Sequence, residues 1–173
     1  DLKIELLSLN NTEQIKLLKK GDLDVTFTRQ NLNSDEIESL FVLREPLIFI
    51  LPENHPLAKY ERIPVKALHG VDFIIPAAEQ SLTLHNTILE FAKTHGIEFN
   101  IVQKADNILF NINSIGMGLG CTILPGYVAP LTMKNTVIRA LDVELPYLDL
   151  YVSYHKNSSC SAFDKFVELL THV

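Results

Sequence analysis

Tryptophan is absent from this 173-residue chain, and cysteine and methionine occur only twice each. Two cysteines cannot staple a chain of this length, so a disulfide scaffold is excluded. Neither Cys121 nor Cys160 stands in a CxxC pair, which points to a reduced, cytoplasmic setting. No uninterrupted apolar run reaches the ~18 residues of a membrane span, and no signal peptide opens the chain. An initiator methionine is also lacking: Asp1 runs straight into LKIELLSL, so the chain is expected to be a fragment of a longer protein. Internal repeats and low-complexity segments are missing. Positive charge is in deficit, with 15 Lys and Arg against 21 Asp and Glu, a net charge of −6. A surface that tracks phosphates needs clustered cations. The densest group here, Lys16, Lys19 and Lys20, reads as one solvated helix face, so a direct grip on nucleic acid is not expected.

What is present is the make-up of a soluble globular domain: 47% hydrophobic and 21% charged residues. Disorder and collagen are excluded, and the length suits one domain or two small lobes.

Residues 2–8 read as a strand. Asn10 or Asn11 offers a helix cap, with Gln14 placed as in a capping box. Helical spacing runs to Gly21, and 23–28 is the next strand, which makes a βαβ unit with parallel strands. Two strand segments follow at 37–43 and 46–51, then a helical turn and a buried strand at 72–75. Residues 83–95 are the clearest helix, with Leu84, Ile88 and Phe91 at i, i+4 and i+7. FNIVQKA is a strand, DNILFNINSIGMG a helix, LGCTILP an apolar strand with Cys121 as a buried small hydrophobe. TVIRALD and LPYLDLYVSYH are further strands, and 159–172 is an amphipathic terminal helix. This alternation implies α/β architecture with parallel sheets.

Catalytic chemistry finds little support. Ser81 and His85 are one helical turn apart, but no G-x-S-x-G elbow surrounds them, and a helix cap and a surface histidine explain both. The six histidines lack metal-ligand spacing such as HExxH. Gly116, Gly118 and Gly120 form G-x-G-x-G, yet they close a helix and open a strand, the reverse of a dinucleotide loop. They read as a tight turn.

Binding chemistry is better supported. Ligands of open α/β sheets sit beyond the carboxyl ends of strands, where helix N-termini offer free N–H groups to anions. Three such ends occur here, at Asn11, at Ser81–Thr83 and at Asp106–Asn107. Asn, Ser and Thr there are equally ordinary caps, worth ~1 kcal/mol each. Arg29 follows a strand directly; it could clamp a carboxylate or pair with Asp24 or Glu45.

Four stretches together resemble the effector-binding domain of LysR-type transcriptional regulators. They are LLKKGDLDVTFTR at 17–29, LREPLIFILPENHPLA at 43–58, VDFIIP at 71–76 and SIGMGLGCTILPGYV at 114–128, and in this order they cover nearly the whole chain. The resemblance implies a two-lobed type 2 periplasmic-binding-protein-like fold, three-layer lobes with mixed, mostly parallel sheets. Lobe I would hold 1–44 plus 146–173 and lobe II 45–145, with hinges near Leu43–Pro46 and Leu145–Tyr147. The first strand and helix of lobe I and the winged helix-turn-helix of a complete regulator would be missing from this chain. A small-molecule effector, expected to be an organic anion and in its narrower form an aromatic one, would bind between the lobes. Matching positions make Asn11, Arg29, Ser81, Leu82, Thr83 and Asn107 the effector-binding candidates; no catalytic residue, metal or cofactor is implied. A homodimer or tetramer is implied, with Thr12, Ile15 and Lys19 facing the 83–95 helix of a partner, and DNA is reached only through the missing domain. A solute-binding protein of a transport system shares the fold and is the alternative; an enzyme on the same scaffold is a third reading.

Overall fold

Helix α1 spans Asn11–Lys20 and is followed by strand β1, Val25–Thr28, and the long strand β2, Ile37–Pro52. The rest of the chain alternates more regularly: β3 Arg62–Ile63, β4 Asp72–Pro76, α2 Leu82–Thr94, β5 Asn100–Ala105, α3 Ile108–Gly116, β6 Thr122–Pro125, β7 Thr136–Leu141 and β8 Tyr147–His155, with short 3₁₀ turns at Pro56–Lys59, Val65–Leu68 and Gly126–Leu131. This computed structural model describes residues 4–157 and Phe166. The expected helix 159–172 therefore lies outside the described residues, Phe166 apart.

The chain divides into two compact units, one of Asp1–Arg44 and Asp149–Val173, the other of Glu45–Leu148. In the first unit β1 pairs antiparallel with β8, from Val25↔Tyr154 to Thr28↔Tyr151. The sequence led us to expect parallel partners for the last strand from an N-terminal βαβ. That expectation is corrected: residues 4–10 form no strand and Leu6 is 90% exposed. A β-prone run becomes a strand only against a neighbour that takes up its hydrogen bonds, and none is present for this segment among the described residues. The buried side chains of this unit are few among the described residues. Leu18, Ile37 and Val152 join Thr26, Thr28, Ser39 and Ser153. The polar ones are paired: the Ser39 and Ser153 hydroxyls lie 2.6 Å apart, and Thr26 Oγ1 donates to Gln14 Oε1.

The second unit holds the larger apolar core, which includes Phe49, Leu51, Ile63, Leu68, Phe73, Ile74, Ile88, Ile115 and Ile123. β2 is one continuous strand where the sequence suggested two. Its carboxyl half pairs antiparallel with β6 along one edge and β7 along the other, and β7 pairs parallel with β3. Pairing around β2 is thus more antiparallel than the α/β alternation implied. The doubly wound part is β4, β5 and β6. β4 and β5 run parallel, ending at Pro76↔Ala105, and a parallel bridge joins Phe73 to Cys121 on the other side. α2 connects β4 to β5 and α3 connects β5 to β6, so both helices start from the carboxyl ends of adjacent parallel strands.

The glycine cluster is a tight helix-to-strand turn, as its spacing indicates. Gly118 takes φ +80° just beyond α3, and its N–H and that of Leu119 satisfy the carbonyls of Ile115 and Ser114. Gly120 is needed for a close approach: a Cβ there would stand 2.7 Å from the Asp72 carbonyl oxygen.

Candidate functional site

In the second unit, Ser81 is the N-cap of α2, its Oγ accepting from Leu84 N–H. Asn107 is the N-cap of α3: its Oδ1 accepts from Phe110 N–H at 2.7 Å and its Nδ2 donates to Asp106 Oδ1 at 3.0 Å. Both side chains do the capping work expected of their types, which satisfies one orphan N–H of each helix and leaves others open. The register Pro76↔Ala105 and the hydrogen bond from Ala77 N–H to Ala105 O, 2.8 Å, put the two helix starts at the same end of the β4–β5 pair. Leu82, in the first turn of α2, is half exposed.

Thr83 differs from its neighbours. Its Oγ1 is shut off from solvent and has no hydrogen-bond partner. His85, one turn after Ser81, is held by its Nδ1 2.7 Å from Pro76 O; a carbonyl only accepts, so Nδ1 donates. The Ser81–His85 pair is a cap and an anchor.

In the first unit, Asn11 is the first residue of α1, half-buried, and Asn10 is the cap, accepting from Glu13 N–H at 3.0 Å. Gln14 serves as an anchor, donating to Leu9 O. Arg29 follows β1, half-buried, with Nη1 excluded from solvent and without a partner among the described residues. Salt bridges to Asp24 or Glu45 do not form among the described residues. The neighbouring cation is engaged instead: Arg44 donates from Nε and Nη2 to the two carboxylate oxygens of Asp149 at 2.8 and 3.2 Å. That fork holds the Asp149 carboxyl below the usual carboxylate range.

Sequence reasoning missed Asn111. It sits inside α3, 1% exposed, and neither its Oδ1 nor its Nδ2 has a partner. The signal was available: Ile108, Ile112 and Ile115 mark the inner face of α3, and Asn111 falls on that face where an apolar residue belongs.

Other titratable groups are less promising. Cys121 is fully buried, and burial, with Asp72 near it, pushes its thiol up to about 12, which makes it inert. Desolvation lowers the pKa of His55, against a smaller upward pull from Asp72; its Nδ1 accepts from Leu57 N–H within its own turn. Among the described residues no cluster of His, Cys, Asp or Glu could hold a metal ion, and no helix is long and apolar enough to cross a membrane.

The fold class follows from comparison of this architecture with solved structures. The effector-binding domain of BenM, with its effector benzoate, matches 98% of this chain and 78% of its own at a TM-score of 0.82 and 16% identity. The regulatory domain of CcmR from Synechocystis PCC6803, in complex with 2-PG, matches 94% of this chain and 79% of its own at 0.80 and 16%. These likenesses show the fold, the type 2 periplasmic-binding-protein-like α/β arrangement of effector-binding domains. The family profile described as the LysR substrate binding domain matches residues 1–173, and the chain belongs to that family. It is 34% identical over 170 residues to the Hca operon transcriptional activator HcaR of Escherichia coli (strain K12), covering 98% of this chain and 57% of that protein. It is 25% identical over 168 residues to the regulator AlsR of Bacillus subtilis (strain 168), covering 97% and 56%. The chain thus spans a little over half the length of these relatives.

Proposed function

We propose that this chain senses a small organic anion, in its narrower form an aromatic acid, on behalf of a LysR-type transcriptional regulator. The family match makes it an effector-binding domain; the chemistry of the effector is our reading. The observation that carries it is Arg29, a half-buried cation whose Nη1 has no protein partner. A desolvated guanidinium N–H left unpaired is costly, and a ligand carboxylate relieves that cost with a charge-assisted hydrogen bond. Thr83 Oγ1 is a second unpaired group, and the open N–H groups at the starts of α2 and α3 suit negative charge. The candidate contact residues are Asn11, Arg29, Ser81, Leu82, Thr83 and Asn107. Leu82, half exposed, offers apolar surface for a ring or an alkyl chain. Benzoate, in the BenM structure, is an acid of this kind.

In this reading effector binding shifts the population between two states of the regulator, and oligomer contacts pass the shift to a DNA-binding domain elsewhere in it. No reaction is performed. The transport-protein alternative is disfavoured because the curated relatives are regulators. Calorimetric titration of the complete protein with benzoate and propionate, against benzylamine and propylamine, tests the reading. Binding of an acid with no binding of its matched amine is expected. Binding of the amines in preference would overturn it.

A further inference from the structure

Asn111 is more than nine-tenths buried, yet both ends of its carboxamide are unpaired. A buried primary amide offers two N–H donors and a carbonyl acceptor, and native proteins almost always satisfy such groups. Its neighbour Ser114 shows the ordinary solution on the same helix, donating to Phe110 O and accepting from Gln103 Nε2. Asn111 has nothing equivalent. Helical side chains lean back toward the N-terminus, over the turn before their own Cα. By that general geometry the Asn111 side chain leans toward the first turn of α3, the turn that Asn107 caps and that starts from the carboxyl end of β5. The same end of the sheet carries the first turn of α2 with the second unpaired group, Thr83 Oγ1.

We propose that Asn111 and the first turn of α3 form a buried subsite for a neutral hydrogen-bonding group of the effector, a hydroxyl, so that the sensor reads a hydroxylated organic acid rather than its plain parent. This rests on the organic-anion reading above and deepens it. A hydroxyl suits the carboxamide because it donates to Oδ1 while accepting from Nδ2. A plain acid leaves both amide ends desolvated and unpaired, and sites of this kind discriminate strongly against the analogue that lacks the group.

The test compares the complete wild-type protein with Asn111→Leu, a near-isosteric apolar change. Titration calorimetry would use benzoate against its three monohydroxy derivatives and propionate against lactate, with thermal unfolding of each ligand-free protein. The wild type should bind at least one hydroxylated acid about tenfold or more tighter than its parent. Asn111→Leu should erase that preference, leave the parent's affinity unchanged, and unfold at an equal or higher temperature. A preference that survives in Asn111→Leu, or parents bound as tightly as hydroxy acids by the wild type, would overturn the subsite alone. A marked fall in the unfolding temperature would overturn it too, by showing that the amide serves the fold. Binding of no acid at all would refute the organic-anion reading and the subsite with it.

Discussion

Arg29 and Arg44 lie in the same unit, and their surroundings assign them different work. Arg44 is exposed and spends its fork on Asp149, a local ion pair at 2.8 Å. Arg29 is half-buried with an N–H left over. The sequence offers Arg29 as a site residue, with Asp24 or Glu45 as its structural alternative; only contact geometry separates it from Arg44, because a guanidinium's partner depends on which strands are adjacent. The Arg44–Asp149 pair has a pH signature. The Asp149 pKa is lowered by the fold, chiefly through the hydrogen bond from Arg44, so the pair stabilises fully above the unfolded carboxyl pKa of ~3.9. That contribution is lost as pH falls through the lower folded value. Arg44 is exposed and Asp149 partly so, and water screens the pair, so it should be under about 1 kcal/mol. Urea unfolding of wild type and Asp149→Asn should show a small stability gap at pH 6 that closes toward pH 2. A gap of equal size at both pH values would show that Asp149 acts through packing, not charge.

At the scale of elements, α2, α3 and the β4–β6 strands were legible because their apolar periodicity and their stops, Gly96 and Gly118, agree with one another. The N-terminal strand was not. LKIELLS has strand composition, but pairing is decided by partners that composition does not name, and β1 takes β8 antiparallel. The gap expected at residues 44–45, between segments 37–43 and 46–51, does not occur. Glu45 instead accepts from Tyr127 N–H at 2.9 Å, and the strand continues. Gly120 tests the assembly of β4 with β6. Its missing Cβ lets Cys121 N–H reach Asp72 O at 2.8 Å. Gly120→Ala would force backbone apart and should cost about 1–3 kcal/mol in chemical denaturation, with the fold retained. A neutral result would mean that the two strands tolerate separation, against the tight bridge described here.

For the whole molecule, the order of motifs carried the family assignment, while the effector site was only partly readable. Ser81 and Asn107 were read as either contacts or caps; the structure shows that both cap. Among the described residues Thr83, Arg29 and Asn111 hold unpaired groups; Asn111 carried a signal, a polar residue on an apolar helix face, but no motif that marks a site. The central claim is that this domain recognises an anion through Arg29. The most direct test is titration calorimetry of the complete protein and its Arg29→Ala variant with the tightest-binding acid, with DNA affinity measured in the absence of effector. A charge-assisted hydrogen bond of roughly 1.5–3 kcal/mol predicts about 10- to 150-fold weaker effector binding in the variant, with DNA affinity nearly unchanged. Equal affinities of wild type and Arg29→Ala for the acid would contradict the account.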